Sequence, residues 1–456
     1  MKKQINLVEG SIIKVLIALA TPIICTSFIQ MAYNMTDMFW LGNSGSNAVA
    51  AVGTASFFVW FGQSLMIISK IGAEIGVSQA IGKNDMNEAK HYISNSIKLN
   101  IILSLSYVLI LILLRKPLIG FFNLGDDIVI KMATNYLVVV ALSIPFNFIN
   151  PILTGIFNGS GDSKTPFFIN TIGLLFNIVF DPLLIYGFGI FPKLGVVGAA
   201  LATVIAQVIV TICFLYVIKN RTESYFRINL KEKLDMNYIK RIAKLGMPVA
   251  AQNALFSFFS MIIARIIAGW GPSAIAVQKV GSQIEAISWM TAGGLSTALG
   301  AFVGQNFGAK KWNRIFKGYL ITILLSVIVG IFATSLLIFG GKSIFAIFIP
   351  EKEAIEMGAV YLRILGYSQL FMCIEITTTG VFNGLGKTMI PSIISIIFTG
   401  LRIPMALILS MPSILGLNGV WWSISISSFI KGILLVLLFV FIILIPKKKL
   451  NSIEFN

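Results

Sequence analysis

The sequence has few charged residues and almost none of the residue types that build catalytic or metal sites. Its 456 residues include 18 acids, one histidine and three cysteines, and only 12% of them are charged. The three cysteines lie singly in apolar surroundings, which argues against a disulfide framework or a metal-ligand cluster. No Ser/His/Asp set and no phosphate-binding loop can be assembled. We therefore expect no enzyme activity, no cofactor and no structural metal.

Long apolar stretches are what the sequence has in abundance. Hydrophobic residues make up 57% of the chain, and runs long enough to cross a bilayer recur along its whole length. These runs must form helices, because the strands of a membrane barrel are shorter and alternate in hydrophobicity. The twelve predicted spans are 11–41, 47–80, 91–114, 128–158, 165–188, 195–219, 238–269, 274–306, 312–340, 353–384, 389–411 and 416–445. The predicted fold class is an all-α polytopic membrane protein.

Basic residues are confined to short segments between the apolar runs, although the net charge is +17. They concentrate in 219–244, 310–317 and 447–449, which fall on one side of the membrane when the spans are counted. The positive-inside rule then places both termini in the cytoplasm, in the inner membrane of a prokaryote. The same placement argues against a nucleic-acid-binding face. We expect the bilayer as the partner surface, no nucleic acid, and a monomer.

A motif in the first half of the chain returns 225 positions later. Thr154–Gly161 returns as Thr379–Gly386 (379 − 154 = 225), and the following Pro166 returns as Pro391. Such self-similarity indicates an internal duplication. It predicts an amino-terminal six-helix lobe at 1–219, a cytoplasmic linker at 220–237 and a carboxy-terminal six-helix lobe at 238–456. Because an even number of spans separates the copies, the lobes are parallel repeats with a pseudo-twofold axis along the membrane normal.

Five acids lie inside the predicted spans, where a carboxylate costs roughly 2.5–3.5 kcal/mol on insertion scales. They are Asp37, Glu74, Asp181, Glu285 and Glu375. Asp37 and Asp181 have no basic neighbour within one or two turns, and each has a polar residue four positions earlier, Tyr33 and Asn177. These oxygens can ligate sodium or form a carboxylate site that holds a proton. The alternative is a buried polar network that joins the first and fifth helices.

The other three acids have basic residues available to neutralise them. Glu74 follows Lys70 by four residues, which predicts an ion pair on one helix face. Glu285 and Glu375 share the second half with four bases, Arg265, Lys279, Arg402 and Lys431. Mutual neutralisation explains much of that set, and a substrate site or a second cation site is the alternative.

The chain resembles the multidrug and toxic compound extrusion (MATE) family of cation-coupled exporters over nearly its whole length. The matching residues include Pro22, Asp37–Gly42, Ala50–Gly53, the duplicated Asn-Gly-x-Gly turns, Asn177, Asp181–Pro182, Gly195–Ala200, Val303–Ala309 and Gly419–Trp422. The resemblance implies two six-helix lobes around a cleft that opens alternately to either side. It also implies cation coupling at Tyr33, Asp37, Asn177 and Asp181. The sodium-dependent branch of the family has an acid early in the seventh helix, where this chain offers only Gln252 and Asn253 as polar groups.

Further polar residues fall on the expected cleft side of the first, fourth and fifth helices. They are Gln30, Tyr33, Asn34, Asn147, Asn150 and Asn170, and amides with aromatic rings suit varied amphipathic cations. In the second half, Gln252, Asn253, Glu285, Glu375 and Arg402 are the candidate site residues. Pro22 is a candidate hinge, because proline removes a helical hydrogen bond; the alternative is that it only opens the helix.

Together these residues predict a secondary antiporter that exports organic cations or amphipathic drugs in exchange for protons or sodium ions by alternating access. One alternative is a lipid-linked oligosaccharide flippase of the same superfamily, which would need a strongly cationic groove such as Arg265, Lys279 and Arg402 could supply. An intramembrane enzyme is the other alternative, and it is disfavoured because the one histidine, His91, lies at the cytoplasmic start of a predicted span and not inside the membrane.

Overall fold

The structure, a computed structural model, describes residues 5–42, 46–122, 126–187, 189, 191–229, 232–348 and 351–447, and every regular element in these ranges is helical. Within these ranges, twelve spans are long and apolar enough to cross a membrane, which confirms the predicted all-α polytopic fold. Their helices, numbered α1 to α12, are Ile12–Gly42, Ser46–Gly82, Met86–Leu113, Asp127–Ser160, Lys164–Pro182, Val196–Lys219, Met236–Ala268, Pro272–Gly308, Trp312–Phe348, Lys352–Gly384, Met389–Gly400 and Leu417–Phe439. Shorter helical segments are Arg115–Gly120, Leu183–Gly187, Ser224–Phe226, Arg402–Leu409 and Val440–Leu444. The eleventh span combines α11 with Arg402–Leu409.

The chain forms two compact units, and the boundaries at Ile24–Cys25 and Ala250–Ala251 lie inside helices. One unit comprises Met1–Ile5 and Cys25–Ala250, and the other comprises Asn6–Ile24 and Ala251–Asn456. The beginning of α1 therefore packs with helices of the second half of the sequence, and the beginning of α7 packs with helices of the first half. The lobes predicted at 1–219 and 238–456 describe the duplicated sequence, and they stay a prediction.

In the first unit, the chain that leads into α7 is held by side chains of α3. Lys98 Nζ donates to the carbonyl of Glu232 at 2.8 Å, and Asn95 Oδ1 accepts from the Asp235 amide at 2.9 Å. Further along α7, a Cβ on Gly246 would lie 2.0 Å from the carbonyl oxygen of Ile68 in α2. Only glycine allows two helix backbones to touch in this way, so α7 begins its span in direct contact with α2.

In the second unit, α8 and α9 hold the start of the chain in the same manner. Arg314 of α9 donates to the carbonyls of Gly10, Leu7 and Glu9 at 2.9, 3.2 and 3.1 Å. Asn306 of α8 donates to the Leu7 carbonyl at 3.0 Å. Each half of the sequence therefore anchors the segment that precedes the first span of the other half.

The duplicated motif ends a helix in each half, but it begins deeper in the helix than the sequence pattern suggested. α4 continues to Ser160 and α10 continues to Gly384. The turns follow at Gly161 and Gly386, whose φ angles of 91° and 73° lie in the left-handed region that favours glycine. The earlier glycines of the motif are helical, so a turn does not explain them.

Close helix packing explains the helical glycines. A Cβ on Gly159 would lie 2.6 Å from the carbonyl oxygen of Glu74 in α2, and a Cβ on Gly384 would lie 2.5 Å from that of Gly300 in α8. Glu74 and Gly300 are themselves 226 positions apart (300 − 74 = 226). The motif therefore encodes the same helix crossing twice, α4 on α2 and α10 on α8, through small residues that admit a neighbouring backbone.

A second pair of glycines packs the fifth and sixth spans together in each half. A Cβ on Gly198 would lie 2.2 Å from the carbonyl oxygen of Leu184, and a Cβ on Gly419 would lie 2.0 Å from that of Leu409. Leu184 and Leu409 are 225 positions apart (409 − 184 = 225), the same offset as the repeated motif. The register of the two fifth spans is therefore fixed at both ends without an insertion or deletion.

Candidate functional site

The fully buried pair Asn177 and Asp181 is the centre of the candidate site. The two residues are four positions apart in α5 and therefore share one helix face. Both are 0% exposed, and Asn177 Nδ2 donates to Asp181 Oδ1 at 3.1 Å. The other amide atom of Asn177, Oδ1, is buried without a hydrogen-bond partner among the described residues. An unsatisfied buried acceptor costs about 1–3 kcal/mol, so an oxygen beside a carboxylate is well placed to bind a cation or a water.

The backbone widens directly after this pair and makes contact with α1. Residues Leu183–Gly187 form a π-helical turn, a feature that is frequent at functional sites. Within it, the Tyr186 hydroxyl donates to the carbonyl of Trp40 at 2.9 Å, and the two rings meet edge-on at 6.1 Å. Trp40 lies three residues after Asp37, and Tyr186 lies five residues after Asp181. The structure thus brings together the two chain segments that carry the predicted coupling acids.

The predicted site residues of α1 are only partly described. Gln30 is exposed, and Tyr33 is half-buried. The side chains of Asn34 and Asp37 lie outside the described part of the structure, although both residues belong to α1. The direct participation of Asp37 beside Asp181 therefore stays a prediction, and the contact between Trp40 and Tyr186 is the geometric support for it.

Among the predicted cleft residues, Asn150 has its amide saturated by α6. Its Nδ2 donates to the Gln207 carbonyl at 2.9 Å and to Gln207 Oε1 at 2.8 Å, while its Oδ1 accepts from Thr211 Oγ1 at 2.8 Å. The residue is 3% exposed. These contacts give Asn150 the role of a tie between α4 and α6. Its predicted contact with substrate stays a prediction.

The predicted cleft amides Asn147 and Asn170 bond within their own helices. Asn147 Nδ2 donates to Ser143 Oγ at 2.8 Å, and Asn170 Nδ2 donates to the Pro166 carbonyl at 2.7 Å. Both residues are half-buried. Because each of these bonds spans four residues of a single helix, the amide groups are oriented along α4 and α5, and their place in a cleft stays a prediction.

The second half contains a buried ion pair between α10 and α12. Lys431 Nζ lies 2.8 Å from Glu375 Oε1, and the two side chains are 6% and 9% exposed. This pair is the mutual neutralisation that the sequence allowed for Glu375. Removing one partner of a buried pair leaves an uncompensated charge, so the two residues depend on each other.

Glu285 belongs to a hydrogen-bonded chain between α8 and α10. Its Oε2 accepts from Gln369 Nε2 at 3.1 Å, and Gln369 Oε1 in turn accepts from Ser288 Oγ at 2.7 Å. Tyr361 also interacts with this carboxylate. Oε1 of Glu285 is buried without a hydrogen-bond partner within the described residues. The carboxylate is therefore held in place by neutral groups.

Arg402 is directed toward α12 at the start of the segment that follows α11. Its Nε donates to Ser427 Oγ at 2.5 Å, and its Nη2 donates to Ser428 Oγ at 3.1 Å. The charges of Glu375 and Glu285 also act on the guanidinium. Two acids and two bases, Glu285, Glu375, Arg402 and Lys431, thus form a cluster whose formal charges cancel.

The remaining candidates of the second half lie apart from this cluster. Gln252 is half-buried and Asn253 is exposed on α7, and Arg265 and Lys279 are exposed. The hydrogen-bond and ion-pair partners of Glu285 and Glu375 come from α10 and α12, not from α7.

The predicted ion pair between Lys70 and Glu74 is not formed within 4.0 Å, although both side chains belong to the described residues. The reason is the bare backbone of α4 beside them. Lys70 Cγ and Glu74 Oε2 would lie 3.4 and 3.5 Å from a Cβ on Gly155. Both side chains therefore pack against this glycine.

Three residues of these networks cannot be found by searching the spans for acidic residues alone. Gln207 and Thr211 on α6 and Gln369 on α10 emerge only from their contacts with Asn150 and Glu285. A signal was present, since Gln207 is the only amide side chain in the apolar sequence of α6. A single amide inside a span needs a hydrogen-bond partner on a neighbouring helix.

The geometry of the described residues defines a class of protein. It is a polytopic helical membrane protein with a duplicated architecture, whose first half buries an amide–carboxylate pair inside a span. No group of three or more His, Cys, Asp and Glu that could hold a metal ion occurs in the part of the chain that is described. Buried acids in such proteins mark ion or substrate pathways.

Comparison with known proteins places the chain in a family. The MatE family model matches residues 22–183 and 248–408, one match in each half. The chain belongs to the MatE family and is a MATE-type transporter, as the resemblance predicted. The two matches begin at Pro22 and Pro248, which are 226 positions apart (248 − 22 = 226), so the family model follows the internal duplication.

Relatives and a solved structure agree with this placement. The chain is 29% identical to a probable multidrug resistance protein NorM of Thermotoga maritima, covering 90% of this chain and 88% of that protein. It is 24% identical to the multidrug export protein MepA of Staphylococcus aureus, covering 92% and 91%. A multidrug resistance MATE transporter solved in an outward-facing conformation shares the fold with a TM-score of 0.86 and 23% identity, covering 95% of this chain and 96% of that one.

Proposed function

We propose that this protein is a cation-coupled multidrug exporter whose coupling ion binds in the first half, at Asp37, Asn177 and Asp181 with Tyr33. The observation that carries the proposal is the fully buried Asn177–Asp181 pair, in which the Asn177 Oδ1 atom has no hydrogen-bond partner in the part of the chain that the structure describes. A proton or a sodium ion at the carboxylate would neutralise the buried charge, and sodium is bound through carboxylate and amide oxygens of this kind.

Binding of the ion can drive transport by changing the balance between two cleft orientations. A ligand shifts such an equilibrium only by its difference in affinity for the two states, and a tenfold difference corresponds to about 1.4 kcal/mol. The membrane potential supplies about 2.3 kcal/mol for each charge that crosses 100 mV. One ion moving inward per cycle is therefore sufficient to bias export of the substrate. The π-helical turn Leu183–Gly187, joined to α1 through Tyr186 and Trp40, connects the ion site to the first helix.

The substrates we propose are organic cations or other amphipathic drugs. NorM and MepA are named as multidrug proteins, and Gln30, Tyr33 and the neighbouring amides offer aromatic and neutral polar contacts without a demand for one geometry. We further propose that both termini lie in the cytoplasm, since the basic segments all fall on that side.

The alternative, a lipid-linked oligosaccharide flippase, has weaker support. A pyrophosphate group requires free cationic side chains that face one groove. Arg402 already donates to Ser427 and Ser428 and lies beside two acids. Arg265 and Lys279 are exposed side chains on α7 and α8. These positions do not supply a shared anion site.

Transport measurements on matched variants test the proposal. Purified protein in vesicles would be assayed for efflux of a fluorescent organic cation under a proton gradient and, separately, under a sodium gradient. Asp181→Asn and Asp37→Asn are expected to insert normally and to lose gradient-driven export by about tenfold or more, because an amide cannot change its charge. Asp126→Asn is the control: Asp126 caps α4 by accepting from the Ile128 amide, and asparagine caps equally well.

Each outcome bears on a separate part of the proposal. Full export by well-expressed Asp181→Asn and Asp37→Asn proteins would refute the coupling site. If neither gradient drives export of any cationic probe by the unsubstituted protein, cation-coupled export itself is wrong. The gradient that drives export by the unsubstituted protein, proton or sodium, identifies the coupling ion.

A further inference from the structure

The duplication allows the proposed ion site of the first half to be located in the second half. The fifth spans are in register at both ends, with Pro166 and Pro391 at the start and Leu184 and Leu409 at the end, all 225 positions apart. Asn177 therefore corresponds to Arg402 (402 − 177 = 225). The amide of the first half is replaced by a guanidinium.

Both acids of the first half are replaced by apolar residues. Asp181 corresponds to Ala406 (406 − 181 = 225), and Asp37 corresponds to Ile263 (263 − 37 = 226), the offset that relates Pro22 to Pro248. Ile263 and Ala406 are buried and belong to one hydrophobic cluster, which also contains Ile267, Ala274 and Val420. The second half thus has no carboxylate at the positions that bind the ion in the first half.

The positive charge of Arg402 nevertheless interacts electrostatically with two acids, Glu285 and Glu375. Glu285 and Glu375 act on the guanidinium, Glu375 is paired with Lys431 at 2.8 Å, and Glu285 Oε1 is a buried atom without a hydrogen-bond partner among the described residues. Arginine stays protonated at any pH that a cell reaches. Its charge is therefore constant, whereas the charge of the first-half site changes when an ion binds.

We propose that Arg402 is a tethered cation that replaces the coupling ion in the second half, so that ions enter and leave only through the first half. The proposal rests on the proposed function, because it presupposes an ion site at Asp181. The formal charges of the cluster formed by Glu285, Glu375, Arg402 and Lys431 already cancel without a bound ion. Its guanidinium is held against α12 by Ser427 and Ser428. The expected stoichiometry is one coupling site per protein.

Chemical rescue distinguishes a tethered cation from a structural arginine. Arg402→Ala should lose export by about tenfold, because the buried acids Glu285 and Glu375 are left with Lys431 as the one base of the cluster. Guanidinium chloride added to the vesicles should restore a measurable part of that loss, and Arg402→Lys, which keeps the charge, should retain export. The control is the double variant Ser427→Ala with Ser428→Ala, which removes the hydrogen bonds of Arg402 but not its charge, and it should keep most of the export.

Three results would overturn the proposal. One is a double serine variant as impaired as Arg402→Ala, with no restoration by guanidinium, because hydrogen bonding and not charge would then be the role of Arg402. Another is a folded Arg402→Ala protein that exports at the full rate. The third is coupling-ion binding that persists in a purified variant carrying both Asp37→Asn and Asp181→Asn, because an ion site outside the first-half site would then exist. If Arg402→Ala does not fold, two measurements still test the proposal. One is export by Arg402→Lys, which should be retained, and the other is the number of coupling ions bound per protein, which should be one. Failure of the unsubstituted protein to export under any gradient would instead refute the proposed function.

Discussion

The two halves of the molecule solve the same helix contact with different chemistry. In the first half, Asn150 of α4 bonds to Gln207 and Thr211 of α6, a neutral network. In the second half, the residue 225 positions later is Glu375 of α10, and it forms an ion pair with Lys431 of α12. The helix pair and the position on it are retained while the polar groups differ. The duplicated architecture therefore does not depend on any one side-chain interaction between these helices.

Packing between the second and third spans shows the same freedom in the apolar core. In the first half, a Cβ on Gly76 would lie 2.3 Å from the ring of Tyr92, and in the second half one on Gly318 would lie 2.3 Å from the ring of Phe302. Gly76 corresponds to Phe302 and Tyr92 to Gly318, since both pairs are 226 positions apart. The large and the small residue have exchanged helices. What the halves share is the summed volume at the contact, as close packing requires.

The contact between the last helical glycine of the repeated motif and a neighbouring backbone is retained in both halves, and its disruption should have the largest effect. Gly384→Ala places a Cβ 2.5 Å from the Gly300 carbonyl oxygen, and Gly159→Ala places one 2.6 Å from that of Glu74. We expect both variants to lose most of their folded protein, as measured by size-exclusion profiles after detergent extraction. Gly293→Ala is the control, because nothing lies within 4 Å of its Cβ position. A normal yield of Gly384→Ala would contradict the shared-crossing interpretation.

The ion pair of the second half should be the next most sensitive feature. Lys431→Met leaves Glu375 buried without its partner, which typically costs about 3–5 kcal/mol. We expect a large fall in the thermal unfolding temperature in detergent. The double variant Lys431→Met with Glu375→Gln should recover most of it, because the charge is removed from both sides. Equal losses in the single and double variants would show that packing, not charge, is the cause.

The neutral network of the first half should tolerate the corresponding loss better. Thr211→Val removes one hydrogen bond to Asn150 and leaves two others in place. We expect a loss of about 1 kcal/mol, the usual worth of one such bond. The measurement is the same thermal scan, and a loss as large as that of Lys431→Met would remove the contrast between the halves.

Hydropathy and the repeated motif were sufficient to predict twelve helical spans and the duplication, because both are patterns along the chain. The partner of Glu375 was not predictable in the same way: Lys431 is 56 positions distant (431 − 375 = 56), and four bases were available. The packing of residues 6–24 with the second half could not be predicted from the sequence either. Arg314 donates to backbone carbonyls of this segment, and such bonds do not depend on which side chains the segment carries. Of the site, the face shared by Asn177 and Asp181 followed from their spacing. The saturation of Asn150 by α6 did not, since it depends on how two helices meet.

The prolines of α1 and α7 should have the smallest effect on stability and a clear effect on transport. Pro22 lies inside α1, with ten helical residues before it, so it does not simply open the helix. The chain passes from one compact unit to the other at Ile24–Cys25, two residues later. A proline lowers the cost of bending because one backbone hydrogen bond is already missing. We expect Pro22→Ala to keep its expression and unfolding temperature while export of a fluorescent cation falls.

Pro248→Ala shows whether this hinge belongs to one half or to both. Pro248 lies inside α7, and the unit boundary follows at Ala250–Ala251, again two residues later. If bending matters only where the ion binds, Pro22→Ala should impair export more than Pro248→Ala, because only α1 carries an acid beyond its proline, at Asp37. Equal impairment of export in the two variants would mean that both α1 and α7 must bend in every transport cycle. Unchanged export in both variants, at normal protein levels, would exclude proline hinges and leave the ion site to act without bending α1.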